Sequence, residues 1–173
     1  MATNITLTAG QRAERKTLIT VAEWGDNKRE IIGVRTEDSS IELNADIATS
    51  TDILGINYTD VNKTQPQQTF DPHFVIGGSE LDAYLVNAML KNDITAYSGA
   101  FDVYIITAFM TEGTPAQADG KYYTVKHQNC SIIPTAIGGD AYVSMPIKVH
   151  FSNDIVEGTV DKVSDDFVFT PKA

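Results

Sequence analysis

Of all the stretches in this chain, Ser79 to Lys91, SELDAYLVNAMLK, leaves the fewest ways to fold the rest. Gly77 and Gly78 break the preceding segment, Ser79 is suited to cap a helix, and Glu80 and Asp82 put negative charge at the positive end of the helix dipole. Leu81, Tyr84, Leu85, Ala88 and Met89 recur at the spacing of one apolar stripe, the face turned to the core, while Asp82, Asn87 and Lys91 fall elsewhere. Asn92 and Asp93 end the pattern. No other segment reads as an amphipathic helix, and a lone helix cannot make a bundle. Its stripe has to be buried on a sheet built from the remaining chain.

The remaining chain supplies strands. Thr17 to Trp24 is rich in β-branched residues and stops at Gly25 and Asp26. Glu30 to Thr36 and Ser40 to Ile47 flank the polar turn Glu37, Asp38, Ser39 and read as a hairpin. In its second arm Ile41, Leu43, Ala45 and Ile47 alternate with Ser40, Glu42, Asn44 and Asp46, which predicts one packed face and one wet, acidic face. Ala100 to Met110 is an almost continuous apolar run, as for a strand covered on both faces. Lys121 to Ile133, stopped by Pro134, Ala141 to Phe151, interrupted by Pro146, Ile155 to Val163 and Asp165 to Thr170 complete the set, with a shorter alternating segment at Asn4 to Thr8. The order predicts a mainly β fold: an antiparallel β-sandwich or small barrel flanked by one helix, within a single domain, residues 1–173.

Residues 48–74 resist this reading. They form the longest stretch without clear periodicity, yet contain Ile53, Leu54, Ile56, Tyr58, Val61 and Phe70, too many apolar residues for a solvated linker. We expect an extended arm that packs on something outside its own domain, in effect an intersubunit arm.

Chemistry leaves little trace. There is no Walker loop, no G-x-G-x-x-G after a strand, no H-E-x-x-H and no G-x-S-x-G. His73, His127 and His150 are scattered, Cys130 is the only cysteine, and no carboxylate pair is singled out. No cofactor, metal or catalytic residue is expected, and the protein reads as a non-enzyme. No apolar run approaches the length of a membrane span and the start lacks a signal-peptide layout, so a soluble product made in the cytoplasm is expected. The net charge of −10 is lopsided. Residues 1–37 hold six basic and five acidic side chains, including all four arginines, which leaves the remainder at −11. An acidic body argues against gripping nucleic acid by its phosphates, and is compatible with a surface past which nucleic acid slides.

The segments YTDVNKTQPQQTFDPHFVIGGSELD and IIPTAIGGDAYVSMPIKVHFSNDIVEGTVD resemble the major tail tube proteins of long-tailed, siphovirus-like bacteriophages. The TQPQQTFDP turn before the glycine-led helix, and the IGGD, strand, HFSND, strand, EGTVD order, carry the likeness from about Tyr58 to Phe169. The resemblance implies a β-sandwich with one flanking helix, also used in the tubes of contractile tails and type VI secretion. It implies homohexameric rings whose sheets join into an inner barrel and stack into a hollow tube conducting DNA, a location in the host cytoplasm during assembly and in the virion afterwards, and other tail proteins as partners. In such a ring the polar face of Ser40 to Ile47, with Glu42 and Asp46, together with Glu157 and Asp161, is expected to line the lumen. The alternative for these acids is an outer surface that aids solubility. For the whole chain the alternatives are a sandwich-type binding or adhesion module, or the tube protein of a phage-derived particle.

Overall fold

The computed structural model describes residues 10–111, 114–115 and 121–173. The expected segment Asn4 to Thr8 and most of the Thr111 to Gly120 loop lie outside the described residues. A short 3-10 turn at Arg15–Thr17 leads into β1 (Leu18–Trp24) and β2 (Lys28–Ile32), followed by β3 (Ile41–Glu42), β4 (Ala45–Thr51), β5 (Asn57–Thr64) and β6 (Gln67–Phe70). Helix α1 (Glu80–Lys91) and the single turn α2 (Ile94–Tyr97) precede β7 (Phe101–Thr107), β8 (Met110–Thr111) and β9 (Thr114–Pro115). β10 (Tyr122–Pro134), β11 (Ile147–His150), β12 (Ile155–Val160) and β13 (Phe169–Pro171) complete the chain.

The fold is mainly β, as expected: among the described residues nine strands join one curled antiparallel sheet, in the order β2-β1-β7-β10-β11-β6-β3, with β12 and β13 branching from β10. The curl comes from the thirteen-residue β10. β7 lies along one edge of it, and β12 and then β11 along the other. A bulge between His127 and Cys130, with Asn129 at a φ of 57°, bends the strand so that its two halves serve two walls. Across the interior the walls meet at Thr20 on β1, whose hydroxyl donates to Gln68 Oε1 on β6 at 2.8 Å. Both residues are buried.

β7 is covered on both faces, as its unbroken apolar run predicts. Phe101, Val103 and Ile105 enter the core beneath α1, with Trp24, Ile132, Ile147 and Val149. Tyr104 and Ile106 enter a second cluster with Val21, Tyr122, Val160 and Phe167. The C-terminal segment closes that second cluster. Arg29 donates to the Phe167 carbonyl at 2.8 Å and lies 4.5 Å over its ring, and Lys126 bridges Asp102 at 2.7 Å. Gly158 lets β13 lie close, since a Cβ there would sit 2.4 Å from the Thr170 carbonyl oxygen.

Helix α1 begins where its cap and acids predict. Ser79 Oγ accepts the Asp82 N–H at 3.0 Å, and Asn92 ends the helix in the left-handed conformation. Leu81, Leu85 and Ala88 are buried, and Tyr84 and Met89 half-buried. Two expectations need correcting. A second helical turn, α2, follows immediately, capped by Asp93, whose carboxylate accepts the Thr95 N–H. Asp82, placed off the apolar stripe, is nonetheless 2% exposed. It sits 2.7 Å from His73 Nε2 and accepts the Ile76 N–H at 2.9 Å, tying the chain before the helix to its first turn.

The expected hairpin between Glu30 to Thr36 and Ser40 to Ile47 does not form. β2 pairs with β1 across the tight Gly25 turn, while β3 pairs with β6 and β4 with β5. The close partner through a short turn wins over the looser one across residues 33–40. Pro146 stands just before β11 and so shortens the expected Ala141 to Phe151 strand.

Candidate assembly surfaces

Most of residues 48–74 is regular. β4 and β5 form a two-stranded ribbon whose residues are exposed throughout, save half-buried Thr64. The Gln65 N–H donates to the Leu43 carbonyl at 3.1 Å and joins this ribbon to the β3–β6 ladder, so one long hairpin runs from the sheet into solvent. Its periodicity was hidden because both faces carry polar and apolar residues, with a register irregularity between Asp46 and Ile47.

The ribbon has two unlike faces. Ile47 opposite Val61 and Thr49 opposite Thr59 make a β-branched face. Asp46 opposite Lys63, Ala48 opposite Asp60 and Ser50 opposite Tyr58 make a more polar one. At the tip Asp52 acts as a clasp: Oδ1 accepts the N–H groups of Leu54 (2.8 Å) and Ile56 (2.9 Å), and Oδ2 accepts the Tyr58 hydroxyl. These hydrogen bonds, that from the Ile56 N–H foremost, hold the Asp52 carboxyl below the usual carboxylate range. The clasp presents Ile53, Leu54 and Ile56 to solvent, with Ile53 fully exposed. Phe70 is different. It is 2% exposed within the core beneath α1, so it belongs to the body and not to the arm. Ile41 and Leu43, expected on a packed face, are also exposed in the single chain, as are Ala45 and Ile47.

The four acids considered for a lumen do not share a face. Glu42 lies opposite Gln67, which lies opposite His150 and, beyond it, Ser131, whereas the neighbouring row of Gln68, Val149 and Ile132 is the buried one. Glu42 therefore projects away from the interior. Glu157 sits in the row of Val125, Ile105 and Thr20, on the interior side of the sheet at its exposed margin. Asp46 is exposed on the ribbon, and Asp161, beyond the end of β12, accepts the Val168 N–H at 2.7 Å, which gives it a turn-holding role.

Little here suggests chemistry. Among the described residues no three His, Cys, Asp or Glu side chains converge as a metal site, and burial raises the Cys130 thiol above its ordinary value. Nor is any helix among them long and apolar enough to cross a membrane. Sequence reasoning misses Asp52 and the buried role of Asp82, each signalled only by an acid placed to accept backbone N–H groups a few residues away.

A curled antiparallel sheet with a flanking helix and a projecting ribbon is the class that fold and surface define. No known family profile matches the sequence, and no curated protein matches it. Solved structures do. A chain of the sixfold-symmetrised baseplate of the anti-feeding prophage superposes with a TM-score of 0.52 at 11% identity, covering 87% of this chain and 97% of that one. A chain of the tube-terminating cap of the same particle gives 0.48 at 15% identity, covering 90% and 96%. One from the sheath–tube complex of an extracellular contractile injection system gives 0.44 at 15% identity, covering 80% and 86%. The baseplate likeness shows a shared fold with a component of such a particle.

Proposed function

We propose that this protein is a structural subunit of a tail tube, self-assembling into rings that stack around a channel. The observation that carries this is the free ribbon: an isolated two-stranded hairpin is marginal in water, and this one exposes Ile47, Val61 and the aliphatic tip. A second copy of the chain would cover it. The sheet also ends in β2 and β3, edges that ring closure removes. The sequence resemblance refines the reading to sixfold rings in a long-tailed phage or a phage-derived particle, with DNA as the passing cargo. In that arrangement Glu42 and Asp46, joined by Asp60 on the polar ribbon face, line the channel, and a negative wall keeps the phosphate backbone moving. Glu157 then belongs elsewhere, because it leaves the other side of the sheet, and Asp161 holds the turn at Val168.

Electron microscopy of the purified protein at rising concentration tests the proposal. Rings or hollow tubes are expected. Monodisperse monomers up to high concentration would remove it.

A further inference from the structure

We infer that the ribbon tip docks into a cleft at the opposite end of the next copy of this chain. The cleft, of about 350 Å³, lies between β1, β2 and the segment before β3. Its apolar lining includes Leu18, Ile19, Ile31, Val34 and Phe70, and its charged lining is Arg15, Lys16 and Glu37, with Lys16 paired to the neighbouring Glu14 at 2.5 Å. This inference rests on reading the ribbon as an assembly arm and names the surface that receives it.

Geometry excludes the chain's own tip. The β3–β6 ladder runs from the cleft, at Ser39 and Phe70, toward Glu42 and Gln67, where the ribbon departs. The seven residues of β4 at about 3.3 Å each then carry the tip roughly 20 Å farther from the cleft. Knob and hole thus sit at opposite ends of one subunit. Such a pair is satisfied only between copies, and repeated head to tail it builds rings or stacks.

The two surfaces also match in character. The tip offers Ile53, Leu54 and Ile56, held in shape by Asp52 before any partner arrives, so little ordering remains to be lost on docking. The ribbon behind it carries Asp46, Asp52 and Asp60 against Lys63. A net acidic arm therefore approaches the arginine-bearing start of the chain, where residues 1–37 stand at +1 within an otherwise acidic molecule.

Disulfide trapping tests this. Ile53→Cys and Val34→Cys place thiols at the tip and in the cleft, both at exposed positions, and the native Cys130 is buried. An equal mixture of the two single variants, oxidised at assembling concentration, should give a covalent dimer that neither variant gives alone. Ile53→Asp should raise the concentration needed for assembly about tenfold or more, the loss of at least one apolar anchor. Assembly by microscopy without the mixed disulfide overturns the cleft assignment and leaves the tube reading standing. The mixed disulfide in particles that are not rings or tubes supports the docking and overturns the tube reading. Failure of both assembly and trapping overturns both.

Discussion

Asp82 and His73 show how a polar pair can hold a fold together from inside it. Burial alone would raise the Asp82 carboxyl, but the hydrogen bond to His73 and the Ile76 N–H outweigh it, and its pKa lies below the ordinary value. A depressed folded-state pKa contributes stability that is present above the unfolded value of about 4 and is lost as pH falls through the folded one. Urea midpoints measured below about pH 4 should therefore fall less steeply for Asp82→Asn than for the unaltered protein. At neutral pH the same substitution should cost about 1–3 kcal/mol, because the buried partners lose a charged acceptor. On the apolar side of the helix, Leu85→Ala should cost about 2–5 kcal/mol. Exposed Asn87→Ala should stay within about 0.5 kcal/mol by the same denaturation assay. The Leu85 prediction was legible in the sequence, since the stripe depends only on spacing. Asp82 was not, because whether an N-terminal helical acid meets water or a histidine depends on where the preceding loop returns.

In the proposed assembly the ribbon is the element that a second copy covers. Its backbone pairs only with itself, so in the isolated subunit the amides of β4 and β5 should exchange fast, and in assembled particles they should be protected, as read by hydrogen-exchange mass spectrometry. Equal exchange in both states would mean the ribbon stays free. Asp52→Ala removes the clasp and should speed exchange at Leu54 and Ile56 without altering α1 or β10. The long ribbon also explains a failed expectation. Ile41, Leu43, Ala45 and Ile47 do alternate with polar residues, the pattern expected of a face packed within the chain. The alternation is real, but it marks a surface that one chain leaves bare. Period two identifies an apolar face and cannot say whose core covers it.

At the scale of the whole molecule, charge placement leads to a functional test. In the proposed tube, changing Glu42 and Asp46 together to Lys should raise the concentration needed for assembly, since Asp46 also lends the arm its charge, and should slow DNA passage, with the passage defect easing as salt rises and phosphate attraction is screened. An unchanged passage rate at low salt would place these acids outside the channel. The mainly β architecture, the helix with its cap and stripe, and the double-sided burial of β7 were all determined by the sequence itself. Each follows from local patterning: side-chain period, cap chemistry and the distance between turn signals. Only the tertiary structure decided that β10 bends at Asn129 to serve two walls, that β2 turns back on β1, and that Phe70 is core while Ile53 is bare. It alone set Glu42 and Glu157 on opposite sides of the sheet. Those outcomes depend on which strands pair over long separations, and pairing is settled by the summed burial of the whole sheet, which no single stretch of sequence contains.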